Sequence, residues 1–436
     1  MRDILICLLV FGALPFILWR PFFGVMVWTW LGLMNPHRLA WGFSLDLPFA
    51  LIVFLTTVFS LLMSRESKKI PVSREIVLLF IFVAWMFLTT LLSWFPQLAW
   101  EQWDKVWKIQ LGVILTLMLV TNRERIHLLV WTICVSLGFY GFKGGLWTIA
   151  TGGTNRVYGP DGTFIGGNNE IGLALIMIVP LLWYLILHSS QRWVKVGHYV
   201  VLACSIIAIV GTHSRGDLLG LLVMGAMFML KARRKLIPLI TAALFVAILP
   251  YIAPDEWFER MDTIQDFESD RSAQGRLGAW RKSIEIANSS PTGGGYEVLQ
   301  VVNGTDAHSI YFEILGEQGY PGLMIFLALG LCTWLKAGAV KRRCARQPEL
   351  VWARDLATMI QTSLVGYGTA GAFLGLGYFD LIYVIMVLTV MLHRVVEQSL
   401  DPASPALAVR AGRGPVPGLP RRVSAAALAA RRESAL

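Results

Sequence analysis

Apolar residues in this chain fall into continuous runs, many about twenty positions long, enough to cross about 30 Å of hydrocarbon. The runs do not alternate apolar with polar positions, which points to helices rather than barrel strands. After residue 45 they cover roughly 46–63, 76–94, 106–120, 127–150, 170–187, 195–211, 216–230, 236–252, 309–335, 356–373 and 376–393. Inside lipid every backbone N–H and C=O needs an internal partner. The pattern therefore predicts an all-α polytopic membrane protein. Two shorter runs, 4–19 and 21–34, are separated only by Arg20-Pro21. Read as one effective crossing, which keeps Arg2 on the basic side, they bring the total to about twelve transmembrane helices; read as two, they move the N-terminus to the other side. The first run resembles the apolar part of a signal peptide, but Arg20-Pro21 follows it where small residues would mark cleavage.

Composition sharpens this reading. Only 15% of the 436 residues are charged, against about 25% in soluble domains. The net charge of +10 is spread as topology signals, which argues against a nucleic-acid partner. Basic residues crowd alternate connections: Arg65, Lys68, Lys69 and Arg74; Arg123 and Arg125; Arg192 and Lys195; Lys231 to Lys235; and Lys336 to Arg354. The positive-inside rule makes these cytoplasmic. The other connections, 95–105, 151–169, 212–215, 253–308 and 374–375, are then external. The chain divides into N-terminal transmembrane helices (1–252), an external helical segment (253–308), C-terminal transmembrane helices (309–395) and a cytoplasmic tail (396–436). The tail is rich in Ala, Pro and Arg and reads as disordered. Five cysteines lie in spans or a basic loop, with no disulfide or zinc spacing.

The candidate chemistry collects on the external side. Within 253–308, Leu277, Trp280 and Ile284 recur at helical spacing, which predicts an amphipathic helix. Arg276 sits one turn from Trp280 on the same face. Lys143 lies in Gly141-Phe-Lys-Gly-Gly, Arg156 in Thr154-Asn-Arg-Val-Tyr-Gly, and Arg215 in Gly211-Thr-His-Ser-Arg-Gly. Cations at such depths are costly, and arginine forks suit a diphosphate. Each alone also reads as an anchor to lipid phosphate. His308 sits where the external segment meets a span, and imidazole is a proton acceptor suited to neutral pH. Glu317 lies about 13 Å further along a helix, in an orienting or structural position. Asp266-Phe-Glu-Ser-Asp270 offers carboxylates for a cation but reads as a solvated acidic face, so no metal and no cofactor are expected.

These residues resemble the O-antigen ligase and polymerase superfamily of bacterial inner membranes, over about residues 130–335. Three signatures carry the likeness: Gly144-Gly-Leu-Trp, Arg156-Val-Tyr-Gly-Pro and Asn168-Asn-Glu before a span; Ser214-Arg-Gly at a span start; and His308 followed by Glu317-x-Gly319-x-x-Gly322. Lys143-Gly-Gly and Asn-Asn-Glu look like the branch of O-glycosylation ligases found near exosortase loci. The resemblance implies a GT-C-like helical membrane glycosyltransferase, inverting and metal-independent. Its donor would be a glycan on undecaprenyl diphosphate, and its acceptor the lipid A core in the periplasm. It implies diphosphate-binding roles for Arg215 and Arg276, and His308 as base. Arg156, Lys143, Asn168, Ser214, Tyr311 and Trp280 would contact the diphosphate or glycan. Two further activities stay open within the class, O-antigen polymerase and protein O-oligosaccharyltransferase. From a different class, a transporter or flippase of lipid-linked sugar also fits many spans and buried arginines, although no internal duplication is evident.

Overall fold

The computed structural model describes residues 1–231 and 271–401. The expected crossing at 236–252, the acidic run Asp266–Asp270 and the tail after Asp401 lie outside the described residues. Among the described residues every regular element is helical. The order is α1 (Arg2–Trp19), α2 (Phe22–Met34), α3 (Phe49–Met63), α4 (Arg74–Leu91), α5 (Pro96–Leu119), α6 (Arg123–Ala150), α7 (Asn168–His188), α8 (Arg192–Gly211) and α9 (Arg215–Lys231). After the undescribed stretch come α10 (Arg271–Ser289), α11 (Val298–Asn303), α12 (Ile310–Arg343), α13 (Val351–Ala370) and α14 (Asp380–Leu400). Helices α1, α4, α6, α7, α8 and α12 are long and apolar enough to cross a membrane, and α2 and α3 are shorter apolar helices. The protein is a multi-pass membrane protein.

Helix α7 forms the centre. It is apolar on every side, and Ile171 to Ile178 are all buried, as expected of a helix enclosed by others. Helices α6, α8, α9 and α13 pack around it. Small residues let the backbones approach closely. Gly141, Gly144 and Gly145 of α6 lie against Ser205, Ala208 and Cys204 of α8.

Contacts between connections assign the helix ends to two faces. At the basic end, Arg125 of α6 pairs with Glu66 in the loop after α3. His188 meets Asp355 at 3.3 Å, Arg343 meets Glu397 at 2.5 Å, and Arg123 lies over the Trp352 ring. At the opposite end, Trp94 N–H donates to Gly294 O (3.0 Å) and Val157 N–H to Gly211 O (2.9 Å). This is the alternation expected from the basic loops.

The N-terminus departs from the expected single crossing. Helices α1 and α2 are separate and antiparallel. Arg2 Nη1 donates to Leu39 O (3.2 Å) and Ser44 Oγ to Asp3 Oδ1 (2.8 Å), while Ser60 Oγ donates to Leu18 O (3.1 Å) near the other end of α1. Arg2 therefore sits at the end opposite the basic loop 64–73. Proline explains the division: Pro21 gives no N–H to a continuing helix and instead opens α2. Two other boundaries shift. The expected connection 95–105 is the first part of α5, with Trp94, Trp100 and Trp107 exposed as in an interfacial belt. Helix α14 continues to Leu400, past the expected start of the tail at 396.

Candidate active site

The end opposite the basic loops is built around a break in α12. Gly319 has φ 68° and ψ −175°, a region open essentially only to glycine. A Cβ there would overlap the Pro291 carbonyl oxygen. Two residues on, Pro321 has no N–H for the Glu317 carbonyl four positions back. The loop Pro291–Gly295 fills the gap. Gly294 N–H donates to Gly316 O (2.9 Å) and Gly295 N–H to Glu317 O (3.0 Å). Trp85 Nε1 donates to Gln318 O (2.9 Å), so α4 also holds the break. The result is a short helical segment, Ile310 to Gln318, set apart from the long remainder of α12.

That segment carries His308 at its start. His308 is half-buried and takes a left-handed conformation with φ 45°, uncommon for a residue with a Cβ. Its neighbours are tied down. Ala307 N–H donates to Asp306 Oδ1 (2.6 Å), and Glu313 N–H to Ser309 O (2.8 Å). Trp280 Nε1 donates to Ala307 O (2.9 Å), and its ring stacks on Phe312 at 4.8 Å and 12°. Trp280 thus joins α10 to the His308 segment, and Arg276 lies half-buried one turn away. The buried face of α10 is Ala279, Ser283, Ile286 and Ala287, whereas the expected Ile284 is exposed. Small side chains win that face because α10 lies close against α12. Tyr311 donates its hydroxyl to Gly368 O (2.8 Å) and pins α12 to α13.

Helices α7 and α9 begin beside this segment. Ser214 caps α9, its Oγ accepting from Asp217 N–H (3.2 Å), an arrangement that satisfies an otherwise orphan donor. Arg215 is the first residue of α9 and is half-buried. Asn168 Nδ2 donates to Thr212 O (2.8 Å). His213, also left-handed at φ 57°, donates Nε2–H to Gly153 O (2.8 Å). That bond and the Val157–Gly211 bond stitch the loop carrying half-buried Arg156 to the start of α9. The Glu170 carboxylate lies in the field of both His308 and Asp306. Buried Asp217 in turn feels Glu170 and lies against Gly172 of α7. The Glu170 charge is thus felt at both the Arg215 helix and the His308 segment. Lys143 stands apart, exposed beside Phe142 on α6 while the flanking glycines face α8.

Electrostatics at this end are mixed. Helices α7, α9, α12 and α14 all start here, so their partial positive ends converge. Half-buried Arg156, Arg215 and Arg276 add full charges. Against them stands a set of carboxylates, of which the sequence singled out Glu317 but not Glu297. Burial raises the Glu297 carboxyl above the usual range, and nearby Asp306 adds to this while Lys105 opposes it. Burial also pushes up the phenols of Tyr296 and Tyr378, with the Glu317 carboxylate reinforcing the effect. Among the described residues no three His, Cys, Asp or Glu side chains are placed to hold a metal ion.

Residues 200–327, from α8 through the break in α12, match the O-antigen ligase family. This domain match supports an O-antigen ligase family assignment. The domain supports a function of the O-antigen ligase or polymerase type, and with it a glycosyl-transferring enzyme. Lipid-linked glycan and lipid acceptors are the partners that this family implies. Residues 1–190 match a separate family of unknown function. No curated protein matches the chain. The ligase match takes in Arg215, Arg276 and His308, whereas Lys143, Arg156 and Asn168 fall in the other family.

Proposed function

We propose that this protein transfers a glycan from undecaprenyl diphosphate to the sugar core of lipid A, on the periplasmic face of the bacterial inner membrane. A helical membrane bundle of GT-C-like character carries the site. The acceptor hydroxyl attacks the anomeric carbon from the side opposite the diphosphate. His308 takes the hydroxyl proton, a step for which imidazole is suited near neutral pH. The bond from the anomeric carbon to the phosphate oxygen breaks, the configuration inverts, and undecaprenyl diphosphate departs. Arg215 and Arg276 stabilise the negative charge that grows on it, with Arg156 nearby. The diphosphate is already a good leaving group, so neither a general acid nor a metal is required.

The single observation that supports this reading is the junction of three elements. The α10 face with Arg276 is joined to the His308 segment by the Trp280–Ala307 hydrogen bond, and the start of α9 with Arg215 shares the electrostatic field of Glu170 with that segment. The deciding experiment uses the purified full-length chain with a preformed lipid-linked glycan in EDTA. Lipid A core, free glycan and protein are offered as separate acceptors. Transfer to lipid A core is the expected result. Transfer only to glycan or only to protein would assign the polymerase or protein-glycosylating activity instead. No transfer to any acceptor would end the enzymatic reading in favour of a carrier.

A further inference from the structure

Glu313 and Glu317 lie one turn apart on the segment between His308 and the break. Both reach across to other parts of the chain. Glu317 is 5% exposed, and its Oε1 accepts the Glu297 N–H at 2.8 Å. Glu297 holds φ 62°, a left-handed conformation that persists only where its surroundings enforce it. The second oxygen, Oε2, and the Tyr378 hydroxyl are both buried and turned toward each other without closing a full hydrogen bond. Glu313 Oε2 accepts the Gly377 N–H at 3.0 Å. Glu313 also lies with Asp306 against Gly375. The two carboxyls therefore bind one short helix to the 294–297 loop on one side and the 375–378 turn on the other.

The break at Gly319 makes these ties matter. A continuous α12 would set the position of its first turn through its own backbone. Here that ladder is interrupted, and side chains and inserted loops set it instead. The strained conformation of His308 needs such over-determination.

We propose that Glu313 and Glu317 are positioning residues for His308, locking the helical segment that begins at the base through the Glu297 and Gly377 amides. The assignment rests on the reading of His308 as base, but the geometry it predicts is measurable without turnover. Glutamine at either position keeps the acceptor for the amide, and at 317 it also donates toward Tyr378. Alanine removes both.

The test uses the full-length chain in detergent with E317Q, E317A, E313Q and E313A. Two quantities are read: the rate at which diethyl pyrocarbonate modifies His308, mapped by mass spectrometry, and glycan transfer. His127 at the basic end serves as the internal control for folding. The glutamine variants should match the unaltered protein on both measures. The alanine variants should modify His308 several-fold faster, leave His127 unchanged, and lose about tenfold or more in transfer, about 1.4 kcal/mol or more. If E317A also exposes His127, E313A decides the matter. Unchanged His308 reactivity in the alanine variants overturns the proposal. So does damage by glutamine equal to that by alanine. Should the unaltered protein transfer nothing, the functional reading fails while the modification rates still decide this one.

Discussion

The indole of Trp280 donates to the carbonyl of Ala307 at 2.9 Å, one residue before His308. The same ring lies flat on Phe312. A residue expected at the sugar or the diphosphate thus also braces the segment that carries the proposed base. Trp280→Phe keeps an aromatic face for Phe312 and loses one hydrogen bond, worth about 1 kcal/mol. The variant should unfold a few degrees lower and transfer more slowly with little change in donor KM. A large rise in donor KM instead would mean that the indole contacts the donor.

His308→Ala should abolish transfer while the protein stays folded and inserted. A sugar hydroxyl is a poor nucleophile, and general-base assistance is typically worth about 10²–10⁴-fold. Arg215→Lys should also lose much of the activity, because an ammonium cannot donate as a paired fork. Rates with saturating donor, and donor affinity measured separately, distinguish the two variants. The base variant should bind donor normally, and the arginine variant should not. Near-normal transfer by His308→Ala would remove the proposed base, and full activity of Arg215→Lys would mean that net charge alone is read.

Gly319→Ala should be among the most damaging single substitutions in the chain. Its φ of 68° with ψ near 180° excludes a Cβ, and the added carbon meets the Pro291 carbonyl backbone. Strain in such a region costs about 1–3 kcal/mol, before any displacement of the Pro291–Gly295 loop. Expression and the unfolding midpoint in detergent should both fall. An unaffected midpoint would show that the break closes into ordinary helix at no cost.

Much of this was legible in the sequence, and the exceptions have identifiable physical causes. The apolar runs and the alternating basic loops marked most helices and both faces. The start of α5 was hidden because Glu101, Asp104, Lys105 and Lys108 dilute a helix whose tryptophans sit at an interface. The break in α12 was hidden inside one apolar run, where Gly319 and Pro321 looked like tolerated interruptions. The buried face of α10 was missed because Ala279, Ser283 and Ala287 pack by smallness rather than hydrophobicity. His308, Arg215 and Arg276 were singled out by their external placement, and the family resemblance pointed at the same three. Glu297 and His213 were not, because a left-handed backbone in a non-glycine residue leaves no mark in the side-chain pattern. Glu313 and Glu317, four apart in a span, were the readable signal that went unused as a pair.

The basic end supplies a prediction independent of the site. Glu66 accepts from Arg125 Nη1 at 2.8 Å and pairs with Nη2 as well. The Arg125 hydrogen bonds hold the Glu66 carboxyl below its usual value of 4.5, against the opposing effect of burial, with the Arg125 and Arg20 charges assisting. A depressed folded-state value means that the pair stabilises fully above the unfolded value. That stabilisation fades as pH falls through the lower folded value. Acid should therefore loosen the joint between the loop after α3 and the start of α6 below about pH 4.5. Glu66→Gln removes the titrating group and should flatten that part of the profile. The two unfolding midpoints, measured between pH 7 and pH 3 in the same detergent, should converge at the acid end. Parallel profiles across the whole range would mean that the Arg125 pair contributes nothing that acid can remove.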